Sequence, residues 1–301
     1  MIDALAHPAV WSGKALPEHP DWTLPFSEAG TEWIRERLEH GPGAMSLRGF
    51  PLPAGKDEAR EAFRSWCGTL GTLLSQNEKG DTVFDVSDAG FARDDPRSRG
   101  PNTSRKLSFH TDRCDVIAFL CWKQARRGGE NELVSSLYLY NEIARRRPDL
   151  LEILKQPFVY KRHTVDLGND QPWIEQPVFS FTGGHFACSF LRVLINRAHA
   201  DPDLPNLSDE QIVAMDFLEE VASEPEAAFH FRQEPGDILI LNNWVTLHRR
   251  SAFEDFDDPE EKRCLFRIWL SMPNSRPLDP RFQDNFGATG AGEIRGGFRT
   301  Q

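Results

Sequence analysis

The segment FHTDRCDVIAFLC sets His110 and Asp112 two residues apart, just before a largely apolar run. In an extended strand, residues i and i+2 project to one face, so an imidazole and a carboxylate converge on one spot. Such a pair is a salt bridge, an acid/base pair or two-thirds of a metal site. His248 is the candidate third donor. It ends GDILILNNWVTLH, read here as one apolar strand that opens at a Pro-Gly-Asp turn (235–237) and delivers an imidazole to its polar end. The other histidines (His7, His19, His40, His163, His185, His199 and His230) stand in loops or isolated strand positions. A surface or hydrogen-bonded role is the default for each.

Two histidines and one carboxylate hold one face of an octahedron in non-haem Fe(II) oxygenases and leave the remaining positions open. Zinc accepts the same donors, usually in a tetrahedral site. A nearby group able to dock a chelating, anionic co-substrate separates the two readings. KRCLFRIWL supplies one: Arg263, Leu265, Arg267 and Trp269 share one strand face, and Cys264, Phe266, Ile268 and Leu270 share the other, wholly apolar face. Both guanidiniums then project into the same cavity. Burying a guanidinium is costly unless an anion meets it, and its planar fork suits a carboxylate. An exposed edge strand with two solvated arginines is the plainer alternative.

HTD, Gly128-Gly129, His248 within LNNWVTLHRRSAFED, and RCLFRIWL together resemble the taurine dioxygenase-like family of Fe(II)/2-oxoglutarate dioxygenases, from about residue 45 to residue 278. The resemblance implies a mainly β fold with surrounding helices around a double-stranded β-helix (jelly-roll, cupin-like) core. It implies His110, Asp112 and His248 as iron ligands, Arg263 on the distal carboxylate of 2-oxoglutarate, and Arg267 turned toward the primary substrate. The second position after the glycine pair, commonly Thr or Ser in this family, is Asn131, whose amide can donate the same hydrogen bond. Halogenating relatives carry a small residue at the acidic ligand; Asp112 is present, so halogenation is not expected. The implied co-substrates are 2-oxoglutarate and O2, with succinate and CO2 released and an unactivated C–H hydroxylated. Desaturation, cyclisation or epoxidation would use the same machinery. Two rival classes stand beside this reading. One is a non-oxidative metal enzyme on a cupin-like barrel, which needs no 2-oxoglutarate. The other is a binding protein that kept the barrel, which would be expected to have lost a ligand or the carboxylate arginine.

The elements that must position these residues are legible in outline. DEAREAFRSWCGTLGTL (57–73) has apolar positions at helical spacing, and 135–154 reads as helix interrupted or restarted at Pro148. Ser208 with Gln211 forms a capping box opening a further helix. AMSLRGFPL, GDILILNNWVTLH and KRCLFRIWLSM read as strands, and PVFSFTGGHFACSF reads as a hairpin about Gly183-Gly184. Strands with a few helices laid outside point to a mostly antiparallel barrel or sandwich.

With 301 residues, no internal repeat and no long linker, the chain reads as one domain. A formal net charge of −11 argues against nucleic acid or an anionic membrane as a general partner. No apolar run is long enough to span a bilayer, and MIDALAHPAVWSGKAL lacks the basic start and apolar core of a secretory signal. Five cysteines without CxxC pairing fit reduced, buried thiols and a cytoplasmic protein. Residues 77–107 read as a long polar loop entering the HTD segment, and such loops are usually lids or binding loops. Gln76, Asn102, Thr103 and Lys106, with Arg192 and Arg267, are the candidate substrate residues. They would suit a small polar molecule bearing a carboxylate, such as an amino acid or a carrier-tethered acyl group. Self-association is left open by the sequence.

Overall fold

The computed structural model describes residues 7–13, 27–91, 100–163, 166, 169 and 171–298. Much of the N-terminal stretch read for a secretory signal, and His19, lie outside the described residues.

The Ser27 hydroxyl accepts from Gly30 N and caps α1 (Glu28–Glu39), which is followed by β1 (Ala44–Leu47). The helix expected over 57–73 is α2 (Lys56–Leu70). It stops short because Gly71 lies against the backbone of Ser271, where a Cβ would sit 2.6 Å from the carbonyl oxygen. The chain continues extended into β2 (Thr72–Leu73) and β3 (Val83–Val86). Next come β4 (Val116–Lys123), β5 (Arg127–Gly128) and β6 (Asn131–Ser135). The interruption expected at Pro148 divides α3 (Ser136–Arg146) from α4 (Pro148–Leu154), with the proline in the first helical turn, where its missing N–H is harmless.

Two hairpins follow, β7 (Pro157–Lys161) with β8 (Trp173–Pro177), and β9 (Phe179–Thr182) with β10 (His185–Cys188). The second turns at Gly183-Gly184, both at positive φ, as the glycine pair foretells. After α5 (Arg192–His199), the expected capping box opens α6 (Asp209–Ala222), with Ser208 and Gln211 each bonding the other's backbone. The chain ends through β11 (Phe229–Phe231), β12 (Ile238–Asn242), β13 (Thr246–Arg250), β14 (Phe253–Glu254), β15 (Cys264–Ser271) and the short α7 (Gln283–Phe286).

A six-stranded antiparallel sheet runs β1-β12-β4-β15-β2, with β3 also on β15; it faces a three-stranded sheet, β11-β6-β13. Ile117 of β4, Leu133 of β6, Leu239 and Leu241 of β12 and Trp269 of β15 meet between the sheets. The alternate residues (Val116, Ala118, Leu120, Ile238, Ile240, Phe266 and Ile268) pack outward against Ile34 and Leu38 of α1 and Phe63 and Trp66 of α2. Apolar partners on both faces explain why these strands read as nearly unbroken apolar runs. A second cluster joins α3, α4 and α6 to the two hairpins.

Three expectations change. GDILILNNWVTLH is two strands: β12 belongs to the larger sheet and β13 to the smaller. At the switch the Asn242 side chain accepts from Trp244 N, and Asn243 N donates to the Asp115 carbonyl. Asp115 anchors the corner, since Oδ1 also accepts from Trp244 Nε1 at 2.8 Å and from the buried Arg295 Nε at 2.6 Å. His110 and Asp112 do not lie in one regular strand either. His110 forms an isolated antiparallel bridge to His248, and Asp112 lies between that bridge and the start of β4. Finally, 77–107 is not loop throughout: it contains β3 and a short 3-10 turn at Gly100–Asn102, while 92–99 lie outside the described residues.

Candidate metal centre and its cavity

The His110–His248 bridge consists of two reciprocal backbone hydrogen bonds, each 3.0 Å. It brings the imidazoles to 4.4 Å between ring centroids. Asp112 is fixed beside them through its backbone N–H, which donates to Asn243 Oδ1 at 3.0 Å. One donor atom from each of His110, Asp112 and His248 lies within 4.8 Å of the other two, and His248 Nε2 stands 3.7 Å from Asp112 Oδ2. His110 Nδ1 lies 2.9 Å from the Ser108 carbonyl oxygen. A carbonyl only accepts, so Nδ1 carries the proton and Nε2 keeps its lone pair.

Burial and the neighbouring His110 push the His248 imidazole down to about 3, so it stays neutral at physiological pH. Burial alone would raise the Asp112 carboxyl, but the neighbouring positive charges, Arg267 foremost, outweigh it and hold it below its ordinary value. A neutral imidazole beside an ionised carboxylate is the protonation state a divalent metal needs. Asp112 Oδ2 is buried with no hydrogen-bond partner among the described residues. The donor set and this orphaned oxygen fit a metal ion.

These residues open onto a cavity of about 650 Å³. On its wall, Arg263, Leu265, Arg267 and Trp269 form one face of β15 and the residue before it, while Cys264, Phe266, Ile268 and Leu270 turn to the core. The alternation read from KRCLFRIWL is therefore present, and both arginines are buried, Arg263 at 2% and Arg267 at 8% exposure. Arg263 packs against Gly129, which sits at φ +75°, with space for a Cβ only 3.2 Å from Arg263 Nε. Gly129 thus lets a guanidinium lie against bare backbone, while Gly128 lies against the backbone of Ala252 and Phe253. Burial lowers Arg263 to about 10, still cationic at neutral pH. Its Nε has no partner among the described residues.

Arg267 is held differently. Its Nε donates to Gln76 Oε1 at 2.7 Å, its Nη1 stands 3.6 Å from Asp112 Oδ2, and its guanidinium stacks over Trp269 and Phe84. Gln76 in turn donates to the carbonyls of Arg267 and Thr82, so it fixes Arg267 rather than standing free for a ligand. Asn131 lines the cavity, with its amide donating to Gln233 Oε1 at 3.1 Å. Thr103 and Lys106 line it as expected. Asn102 is absent from the wall; its carbonyl accepts from Ala89 N inside the 3-10 turn. Arg192 reaches the cavity edge already neutralised by Asp216 and Glu219 at 2.5 and 2.6 Å. The cavity also collects His163, Arg105 and Arg250. Arg250 sits two residues beyond His248, and that spacing is the one signal in the sequence that could have found it. His163 carries no local signal at all.

A family model described as taurine catabolism dioxygenase TauD, TfdA family, matches residues 13–269. The FR-33289 synthase of Streptomyces rubellomurinus is 32% identical over 249 residues, covering 80% of this chain and 72% of that protein. Among solved structures, an asparagine oxygenase in complex with Fe(II), 2S,3S-3-hydroxyasparagine and succinate superposes with a TM-score of 0.62 at 18% identity, covering 89% of this chain and 90% of its own. The non-heme iron oxygenase OrfP in complex with Fe and alpha-ketoglutaric acid gives 0.58 at 16%, covering 81% and 80%. These likenesses establish the jelly-roll core. The chain belongs to the TauD/TfdA family, and it is a dioxygenase.

Proposed function

We propose that this dioxygenase hydroxylates an unactivated C–H of a small, polar, carboxylate-bearing molecule, an amino acid being the nearest chemical class. Its cofactor is Fe(II), and its co-substrates are 2-oxoglutarate and O2. The observation that carries the reading is the convergence of His110, Asp112 and His248 on one point of a cavity that also holds two buried arginines. The asparagine oxygenase was solved with a hydroxylated amino acid and succinate, which supports the substrate class.

His110, Asp112 and His248 would hold the iron, which when bound supplies activation of O2 coupled to the decarboxylation of 2-oxoglutarate. The balance is one 2-oxoglutarate, one O2 and one C–H giving succinate, CO2 and one C–OH. The chain's own contribution is positioning. Arg263 takes the distal carboxylate of 2-oxoglutarate, with Asn131 on the neighbouring wall. Arg267, aimed by Gln76, is left for an anionic group of the primary substrate, because one co-substrate has only one distal carboxylate. Thr103 and Lys106 close the polar side. Trp269, Phe119 and Leu265 keep the reacting region apolar and exclude water.

The test is succinate release in the presence of Fe(II), 2-oxoglutarate and O2 across a panel of free amino acids and their amide and ester derivatives. A free carboxylate should be needed for stimulation, with succinate and hydroxylated product formed one to one. Stimulation that is indifferent to esterifying the carboxylate would refute the role given to Arg267.

A further inference from the structure

Arg250 and Arg263 come from different elements, yet both guanidiniums lie over the same ring, Phe253, at 4.5 and 5.0 Å from its centroid. Both side chains line the cavity, and both residues are nearly inaccessible, at 6% and 2% exposure. Neither has a carboxylate within ion-pair distance among the described residues; the acidic side chains in electrostatic reach are Asp88 and Asp255. Each retains a buried nitrogen without a hydrogen-bond partner, Nη1 of Arg250 and Nε of Arg263. Two adjacent buried cations with unused N–H groups are unfavourable until an anion joins them. Arg250 differs from Arg263 in its other arm. Its Nη2 donates to the carbonyl oxygens of Thr103 at 2.8 Å and Arg105 at 2.7 Å. That segment is cavity wall: Thr103, Arg105, Lys106 and Leu107 all line it.

We propose that Arg250 is the second guanidinium of the subsite for the co-substrate's distal carboxylate, and that it couples occupation of that subsite to the ordering of residues 103–107. The proposal rests on the 2-oxoglutarate reading given above. The carboxylate's two oxygens accept from Arg263 and from Nη1 of Arg250. The same planar side chain, now held at both ends, fixes the backbone that forms one wall of the substrate pocket. 2-Oxoglutarate therefore prepares the pocket as well as supplying two of the electrons that reduce O2, and the primary substrate binds after it. A lysine at 250 could neutralise the anion but could not reach the carboxylate and both carbonyls together.

The experiment is an anaerobic titration of the Fe(II)-loaded full chain with 2-oxoglutarate, followed by the weak visible absorption of the complex, with hydrogen exchange of the 103–107 amides read on the same samples. In the native chain, saturating 2-oxoglutarate should slow exchange across 103–107 at least tenfold. Arg250→Gln should raise the Kd for 2-oxoglutarate at least tenfold without changing iron content. Arg250→Lys should bind 2-oxoglutarate within about fivefold of the native chain and yet give no protection of 103–107. A native chain showing no protection overturns the proposal even if Arg250→Gln fails to fold. A Kd within threefold in Arg250→Gln, or full protection in Arg250→Lys, does the same. Arg263→Ala separates the two levels. If it too leaves the Kd unchanged, the subsite itself is misplaced; if it weakens binding while Arg250→Gln does not, only the role of Arg250 falls.

Discussion

Arg267 enters the cavity with its direction already set, because Gln76 receives its Nε and returns two hydrogen bonds to nearby carbonyls. The two arginines on β15 are legible in the sequence, since a strand alternates faces and the opposite face of RCLFRIWL is wholly apolar. The Gln76–Arg267 bond is not, because its partners stand 191 positions apart. Gln76→Leu should therefore misaim Arg267 while leaving 2-oxoglutarate binding intact. Losing a hydrogen bond to a buried charged group costs about 1–3 kcal/mol, so the ratio of succinate to oxidised product should rise severalfold above one. A ratio that stays near one would contradict the positioning role. In the proposed role of Arg263, Arg263→Ala would remove the partner of the buried co-substrate carboxylate, a loss of about 3–5 kcal/mol. The apparent KM for 2-oxoglutarate should then rise a hundredfold or more, and a change below about threefold would assign the carboxylate to another residue.

At the scale of elements, the site depends on the corner between β12 and β13, which carries the chain from one sheet to the other just before His248. The sequence shows an apolar run closed by a histidine, and its one local sign of the break is the Asn242-Asn243 pair where β12 gives way to β13. Each strand packs against its own sheet's partners. What holds the corner is tertiary: Asp115 accepts from Trp244, Arg295 and Met272 N while buried at 1% exposure. Asp115→Ala would leave the Arg295 guanidinium uncompensated, and denaturant unfolding should show a loss of about 3–5 kcal/mol; a loss below 1 kcal/mol would mean the corner is held otherwise. The helix signals read more directly, since caps and periodicity are local. Ser208→Ala should cost α6 about 1 kcal/mol, with the activity of the folded chain unchanged.

For the whole molecule, a net charge of −11 surrounds a cavity whose buried charges are largely cationic. Composition is a poor guide to a pocket for this reason: the average is set by the surface, and the site by a handful of side chains from distant segments. Among the described residues no helix is long and apolar enough to cross a membrane. The five cysteines are free and buried. Burial pushes Cys121 and Cys188 up to about 12 and Cys264 to about 11, and raises Cys67 and Cys114 as well. Thiolates are the reactive form, so at pH 8 a disulfide reagent should leave the native chain untouched over minutes and titrate five thiols once it is unfolded. Rapid reaction of the native chain would show that one of these positions opens.

The proposed function requires that His110, Asp112 and His248 together hold one Fe(II). Anaerobic iron titration of the native chain and of His248→Ala, each followed by addition of 2-oxoglutarate, tests this. The native chain should take up one iron per chain and develop a weak visible absorption band with the co-substrate, and His248→Ala should lose both. Full iron uptake and an unchanged band in His248→Ala would contradict the assignment.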